Sequence, residues 1–293
     1  MKYILSIILL SISFSQVFSS YDYLGSRATA MSAAITSGDH IESGIFHNPA
    51  QLSNNSDITI ISGYSNLYGL DFLPLSHMGI SINNYALSFK NISTEFSGNT
   101  LSSETALGVA KGFNLYSDRQ SLIQMGLRFN FYSYDFGESA GTEGDGSNGI
   151  NLGSSNASGF DIGFQGVLNK KYYVAYYIKN ISSYIEGSSL GLNLPKTMSI
   201  GLSYLPYKDL VTSLDINQLS GNIDSEIRFG IEYKLMESFK IRTGLQSNPN
   251  RFSAGFEFGN IKLANLYTFN FSYSFLTHHV LPTTHQFSLS VKF

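Results

Sequence analysis

The last ten residues of the chain alternate strictly between apolar and polar side chains. Phe287, Leu289, Val291 and Phe293 share one parity, and the residues between them are serine or lysine. Successive side chains of a β-strand point to opposite faces of the sheet, so this segment is predicted to be a strand with one apolar and one polar face.

The same two-residue period recurs throughout the chain after residue 56. Fourteen segments carry it: 57–66, 76–83, 84–93, 103–113, 120–135, 158–168, 171–180, 196–205, 209–217, 224–235, 238–246, 250–259, 260–275 and 283–293. Alternating segments of about ten residues, even in number, are typical of single-chain bacterial outer-membrane barrels. A final strand that ends in Phe293 also resembles the closing strand of such a barrel. We therefore predict an all-β fold, a transmembrane antiparallel β-barrel of about 14 strands.

The spacing of these segments predicts the orientation of the barrel. Long connections follow odd-numbered strands, at 67–75, 94–102, 136–157 and 181–195, whereas most connections after even-numbered strands are short. Outer-membrane barrels have short periplasmic turns and longer extracellular loops, so the first strand is predicted to run outward.

The N-terminal residues predict export. Lys2 precedes an apolar run over 4–14 that is too short to span a bilayer, and Val17 and Ser19 are small residues at the spacing of a signal-peptidase site. Residues 1–19 are predicted to be a removed signal peptide, with a retained anchor helix as the alternative. The expected location is the bacterial outer membrane.

The composition supports a lipid-facing chain and argues against other classes. Charged residues make up 13% of the sequence, against about 25% in soluble domains. A secreted β-sandwich, which also alternates, remains the alternative, but it would need more charge on its outer faces. The net charge of −3 without a basic cluster predicts no nucleic-acid partner. Outer-membrane lipid is the expected surrounding.

Residues 20–56 do not alternate and are predicted to form a separate N-terminal element, ahead of the barrel at 57–293. A barrel of fourteen strands is too wide for its own side chains to fill, so a segment that closes the lumen, a hatch, is expected. Ala28–Ile35 is rich in good helix formers and predicts a short helix. Pro49 disfavours a helical residue before it and should redirect the chain. A disordered N-terminus is the alternative.

The N-terminal element also resembles a known family. Leu24–Ala34 (LGSRATAMSAA) is similar to the small-residue opening of the PorV/PorQ family, and Asn48, Pro49 and Ala50 match the N-P-A hatch motif that follows it. Both features also occur in the broader FadL-like superfamily, where this segment folds into the lumen. Five later segments resemble the PorV-like C-terminal half in order and spacing: PKTMSIGLSY, RFGIEY, RTGL, RFSAG and the final ten residues.

The resemblance implies two functions. PorV-like proteins serve type IX secretion, so the first expectation is a non-enzymatic component whose partners are secretion-system proteins or secreted cargo. The alternative is a FadL-like channel for long-chain fatty acids or other hydrophobic small molecules. The chain departs from the PorV pattern at Thr29, Ser32 and His47, which stand where that family often has Leu, Gly and Trp.

Charged side chains at lumen-facing parity form the second set of candidate residues. They are Arg128, Glu226, Arg228, Glu232, Lys240, Arg242, Arg251 and Glu257, with Lys292 near the end of the last strand. Both signs occur on neighbouring strands, so cross-strand pairs that brace the wall and bind the hatch are expected. A track that guides a substrate is the alternative.

No catalytic, cofactor or metal site is predicted. His278 and His279 are adjacent and would point to opposite faces of a strand, and no further ligands lie at metal-site spacing. Glu143, Asp145 and Asn148 lack the ordered ligand set of a calcium loop. The chain is therefore not expected to be an enzyme.

Overall fold

The computed structural model describes residues 18–53, 55–96, 99–139, 141–142, 144, 148–186, 194–220, 224–263 and 267–293, with the backbone alone at 96, 99, 260, 262 and 263. Nearly all of the predicted signal peptide lies outside these residues. Two short helices come first, α1 over Ser26–Ala30 and α2 over Ile41–Phe46, and a 3₁₀ helix covers Pro49–Leu52. None of the described helices is long and apolar enough to cross a membrane.

Fourteen strands form a closed barrel. They are β1 Thr59–Asn66, β2 Pro74–Ile82, β3 Tyr85–Phe96, β4 Asn99–Ser117, β5 Ser121–Asp135, β6 Ser154–Leu168, β7 Tyr172–Ile185, β8 Thr197–Tyr207, β9 Leu210–Leu219, β10 Glu226–Met236, β11 Phe239–Gln246, β12 Arg251–Leu263, β13 Tyr267–Leu276 and β14 Thr284–Lys292. A second 3₁₀ helix, Leu67–Gly69, follows β1. Each strand pairs with its sequence neighbours, and β1 pairs antiparallel with β14. The predicted fourteen-stranded barrel is confirmed, and the sandwich alternative is excluded.

One strand boundary differs from the sequence prediction. β12 continues to Leu263 and β13 begins at Tyr267, whereas the alternation places a boundary between residues 259 and 260. The ladder between these two strands changes register between Phe258 and Ile261. A bulge adds a residue on one strand and breaks the two-residue period. A prediction from the alternation therefore places the end of a strand at the bulge.

The expected long loop over 94–102 is also wrong. β3 extends to Phe96 and β4 begins at Asn99, so only residues 97 and 98 connect them. Ser93 pairs with Ser103 in this extension, which is largely polar and therefore lacks the apolar period that marks the other strands. Connections at 67–73, 136–153 and 186–196 are long, whereas the described connections at the opposite end have two or three residues. We call the long-loop end extracellular and the short-turn end periplasmic.

The two faces of the wall follow the alternation. On β14, Phe287 and Leu289 are 47% and 46% exposed on the outer surface, whereas Gln286 and Ser288 are buried in the interior. An apolar outer surface suits hydrocarbon and a polar inner surface suits a lumen.

Substitutions on this strand test the assignment of faces. We expect Leu289→Arg to destabilise the barrel by about 2–4 kcal/mol, because it places a charge in the hydrocarbon near the bilayer midplane. Ser290→Arg, one residue along on the lumen face, is the matched control and should be tolerated. Heat-modifiable mobility on SDS gels measures both, and equal loss of the folded band would contradict the assignment.

Candidate functional site at the hatch

Residues 20–53 of the hatch lie inside the barrel lumen. Just before it, the Ser19 amide donates to Glu104 Oε2 at 2.7 Å, in the extracellular half of β4. At the other end, Asn114 Nδ2 donates to the Ser53 carbonyl at 3.2 Å, close to the periplasmic end of the same strand. The hatch therefore runs through the lumen from the extracellular half to the periplasmic end.

The first hatch helix is shorter than the sequence predicts. α1 covers Ser26–Ala30 and not Ala28–Ile35, because Ser32 and Ala33 adopt left-handed backbone angles with φ of 50° and 56°. Two consecutive residues in that region cannot continue a right-handed helix. The chain turns there and leads into the extended segment before α2.

A row of wall glycines forms the surface on which the hatch motif lies. Gly112, Gly126 and Gly163 are direct cross-strand neighbours on β4, β5 and β6. A Cβ added at Gly126 would lie 2.1 Å from the Pro49 carbonyl carbon, and one at Gly112 would lie 2.4 Å from the Ser53 amide nitrogen. These distances are far below van der Waals contact, so only glycine lets the hatch backbone approach the wall this closely. We call this row the hatch seat.

Two further wall glycines contact the turn that follows α1. Gly230 and Gly244 face each other on β10 and β11, and a Cβ at Gly244 would lie 2.4 Å from the Met31 carbonyl carbon. Next to them, Ser253 Oγ donates to the Ala30 carbonyl at 2.8 Å. The hatch is thus in backbone contact with opposite parts of the wall.

Asn48 joins two parts of the hatch by hydrogen bonds. Its side-chain Oδ1 accepts from the Ala50 amide at 3.0 Å, and its Nδ2 donates to the Thr36 carbonyl at 2.8 Å. Asn48, Pro49 and Ala50 are all fully buried, with Pro49 in the first turn of the 3₁₀ helix. The motif holds two distant parts of the hatch together and fixes the segment that lies on the seat.

Arg128 binds the hatch from the wall. Its guanidinium donates to the carbonyls of Gly44, Ile45 and His47 at 2.7, 2.7 and 2.8 Å, and the side chain is buried. Carbonyls at the end of a helix lack intrahelical partners and carry partial negative charge. A buried cation there satisfies the end of α2 and locks it to β5.

An ion-pair network binds the hatch to the opposite wall. Arg27 of α1 bonds Glu232 at 3.1 Å, Glu232 bonds Arg242 at 2.6 Å, and Glu257 pairs with both Arg242 and Lys240. Glu232 and Arg242 are direct cross-strand neighbours, as are Lys240 and Glu257. Four of the eight candidate charges from the sequence therefore lie in one network, and Arg27 brings the hatch into it.

The remaining candidate charges lie nearer the extracellular end. Arg228 pairs with Glu226 at 2.5 Å. Arg228 and Arg251 both stack on the Tyr23 ring, at 5.6 and 5.8 Å from its centre. The two arginines contact the first part of the hatch, and no described ion pair joins them to the Glu232 network. Lys292 lies at the periplasmic rim, where it pairs with Asp57 at 2.6 Å.

The sequence prediction missed several polar contacts of the hatch. Asp215 accepts from the Thr36 amide at 2.8 Å, and Lys179 pairs with Asp22 at 2.5 Å. The buried Asp161 accepts from Asn130, Tyr177 and the Asn180 amide. Asp161 and Asp215 occupy lumen-facing parity in their strands, so the alternation contains the signal for them. Arg27 and Asp22 precede the barrel and have no such signal.

Glu42 is the unusual acid of the hatch. Its Oε1 atom is buried without a hydrogen bond among the described residues. Burial raises the pKa of Glu42 to about 7, although Arg242 and Arg27 act in the opposite direction. A glutamate released into water has a pKa near 4.3. The seated hatch therefore favours the protonated form.

This preference predicts a pH dependence of hatch seating. As pH rises from about 4.5 to about 7, a released Glu42 ionises while a seated one keeps its proton, so seating weakens by roughly 3 kcal/mol in total. Above about pH 7 both states are ionised and the dependence ends. Conductance in planar bilayers should rise over this interval, and Glu42→Gln should flatten that rise. An unchanged slope in the Gln variant would contradict the assignment.

The free space beside α2 is small, whereas a cavity of about 410 Å³ lies nearer the extracellular end, beside Ser19 and Glu104. A cavity of about 40 Å³ lies beside α2, with apolar walls at Leu24, Phe46 and Phe89 and charged walls at Lys90 and Arg128. A dry cavity of about 150 Å³ holds a benzene molecule. The cavity beside α2 therefore has no room for even a small aromatic ligand. In the described part of the chain, no group of three or more metal-binding side chains is found.

Comparison with solved structures places this architecture among known proteins. The toluene transporter TodX of Pseudomonas putida superposes with a TM-score of 0.59 and 12% identity over 95% of this chain and 99% of that one. The toluene transporter TbuX of Ralstonia pickettii gives 0.56 and 13% over 93% and 98%, and a FadL homologue of Pseudomonas aeruginosa gives 0.54 and 11% over 92% and 98%. No protein-family model and no curated protein matches the sequence.

These similarities bear on the two expected families. In fold they agree with the FadL-like part of the resemblance, and they give no support to PorV/PorQ in particular. The apolar outer surface and the shared fold also support the expected location in the outer membrane. At these identities the comparison establishes the fold and not the substrate: the chain folds as a FadL-like fourteen-stranded barrel with its hatch in the lumen.

Proposed function

We propose that this protein is a non-enzymatic outer-membrane channel for hydrophobic small molecules, gated by the hatch. The observation that supports it most is the hatch itself, which lies inside a complete barrel and is held by wall residues on several sides. The structural neighbours with this architecture are toluene transporters and a FadL homologue. Long-chain fatty acids and small aromatic hydrocarbons are accordingly the substrate classes to test first.

Passage requires the hatch to move. The 40 Å³ cavity beside Leu24 and Phe46 is too small for such a ligand, and the strands around it form a closed wall. Displacing α2 would merge this cavity with the space that Phe46 occupies and would give a substrate an apolar surface. The contacts of Arg128 and Arg27 then set the cost of opening.

Secretion remains the competing function, with cargo binding at the extracellular loops. The two functions depend on different parts of the molecule. A channel depends on hatch geometry, whereas a secretion component depends on the loops at 136–157 and 181–195, parts of which lie outside the described residues.

A paired experiment separates the two functions. Asn48→Ala leaves the buried Ala50 amide without its partner, at a cost of about 1–3 kcal/mol, and leaves the Thr36 carbonyl with Gln51 as its remaining donor. We expect this change to alter the initial uptake rate of labelled toluene or oleate more than shortening of either loop does. If loop shortening abolishes display of secreted proteins while Asn48→Ala leaves uptake unchanged, the channel function is wrong.

A further inference from the structure

Three neighbouring periplasmic turns carry an excess of positive charge. Arg119 lies in the turn between β4 and β5, Lys170 and Lys171 between β6 and β7, and Lys208 between β8 and β9. The turns are in contact, since the Asn169 amide donates to the Gln120 carbonyl at 2.6 Å and the Leu205 amide donates to the Lys171 carbonyl at 2.9 Å. The four cations thus follow one arc of the barrel rim.

These cations have no close ion-pair partner among the described residues, although Lys170 lies near Asp39 and Lys208 lies near Glu237. All four side chains are exposed, and none makes a hydrogen bond or an ion pair within the described part of the chain. The acids of the same turns are Asp118, which accepts from the Gln120 and Ser121 amides, and Asp209. Asp39 of the hatch lines one cavity together with Lys208 and Asp209, so the four cations face three acids, an excess of one positive charge. Elsewhere on this rim, Lys234 and Lys292 are each paired with an acid.

Tyrosines flank the arc on the outer surface. Tyr172 and Tyr204 stack with ring centres 5.0 Å apart, and Tyr207 is 74% exposed. Tyrosine is enriched where the hydrocarbon of a membrane meets its headgroups, because the ring is apolar and the hydroxyl is polar. The lysines directly beyond these rings therefore lie at headgroup level.

An apolar groove on the outer wall begins at the same tyrosines. It has a volume of about 280 Å³ and is lined by Tyr172, Tyr204, Val174, Leu202, Leu214 and Phe229. Thr212, a small side chain beside Tyr204 in the ladder, also lines it. Since the row of Val174, Leu202 and Leu214 lies one step further from the turns, the groove leads from the cations toward the membrane midplane.

We infer that this surface is a binding site for an anionic phospholipid of the inner leaflet of the outer membrane. The phosphate group lies against Lys171 and Lys208, and one acyl chain occupies the groove over Thr212. Charge complementarity selects an anionic headgroup, and each cation near an anionic lipid surface contributes roughly fivefold to binding. A lipid fits better than a protein, because the groove faces hydrocarbon on the outer wall, where acyl chains are the surrounding molecules.

Lipid retention by the folded full-length barrel tests the site. Protein reconstituted with equal amounts of phosphatidylglycerol and phosphatidylcholine is extracted into mild detergent, and retained lipids are counted by native mass spectrometry. We expect the wild type to retain phosphatidylglycerol at least about tenfold better than phosphatidylcholine. The combined K170Q, K171Q and K208Q variant should lose this preference, whereas Lys196→Gln at the extracellular end should keep it.

A second variant tests the groove independently of charge. Thr212→Trp fills the groove and should lower retention of both lipids several-fold, whereas Ala254→Trp, an outward substitution on β12, should not. Heat-modifiable gel mobility confirms that each variant is folded. Equal retention of the two lipids by the wild type, or a preference that survives in the triple variant, would overturn the site. Capture of an acidic periplasmic protein without any lipid preference would also overturn it.

Discussion

Replacing Gly126 by leucine is expected to force the hatch off its seat and open the lumen to ions. A Cβ at this position would lie 2.1 Å from the Pro49 carbonyl carbon and 2.2 Å from the Ala50 nitrogen. Both are backbone atoms that cannot rotate away. Overpacking of a core costs about 1–3 kcal/mol even where side chains can adjust. We therefore expect at least a roughly 100-fold gain in the population with a displaced hatch.

Conductance in planar bilayers measures this displacement directly. The barrel itself should stay folded, because its backbone ladders do not depend on the hatch. Gly166→Leu is the matched control: it lies three residues from Gly163 on β6, and a Cβ there meets nothing within 4 Å. If Gly126→Leu and Gly166→Leu conduct equally little while both are folded, the 3₁₀ helix does not close the lumen.

Much of the barrel can be read from the sequence because the lipid imposes the pattern. An outward side chain must be apolar and its neighbours face a polar lumen, so strands such as β14 show a two-residue period. The period fails where this constraint stops. The polar hairpin at the tops of β3 and β4 extends beyond the apolar part of the wall, and the bulge between Phe258 and Ile261 shifts the parity within one strand.

The hatch contacts are harder to predict, because they join residues that are distant in sequence. Arg27 and Glu232 are 205 positions apart, and Arg128 binds carbonyls 81 to 84 positions away. Parity identifies Glu232 and Arg128 as lumen-facing but gives no partner for either. The hatch seat is equally hard to predict. Gly112, Gly126 and Gly163 are visible as small residues at inward parity, but their alignment depends on the registers of three strands.

The sequence leaves open whether the charges on the wall brace the barrel or guide a substrate. In the closed barrel, Glu232, Arg242, Lys240 and Glu257 are paired with one another, and Arg27 adds the hatch to this group. Breaking a buried ion pair leaves an uncompensated charge and costs several kcal/mol. In the proposed channel, opening would therefore have to move Arg27 away from Glu232, and the network would contribute to the cost of gating.

Arg128 is the wall residue whose loss should release α2. Arg128→Leu removes three donors and leaves the Gly44, Ile45 and His47 carbonyls without their partner. Each buried group left unsatisfied costs about 1–3 kcal/mol, so we expect the loss of all three bonds to destabilise α2 by roughly 3–9 kcal/mol. Asp161 lies 4.0 Å from the Arg128 guanidinium and also loses this cation, but Asn130, Tyr177 and the Asn180 amide still donate to it.

Hydrogen exchange of the barrel in lipid nanodiscs measures the stability of α2 directly. Amides over 41–52 should exchange faster by at least about 100-fold in Arg128→Leu, while those of β5 and β6 keep their protection. Arg251→Leu is the control, because it removes a lumen-facing arginine whose contact with the hatch is the Tyr23 ring, an interaction worth about 0.5–2 kcal/mol. If both variants loosen α2 equally, Arg128 is one of many braces. If only Arg128→Leu does so, the bonds of this arginine hold α2 in place, and the proposed channel would have to break them to open.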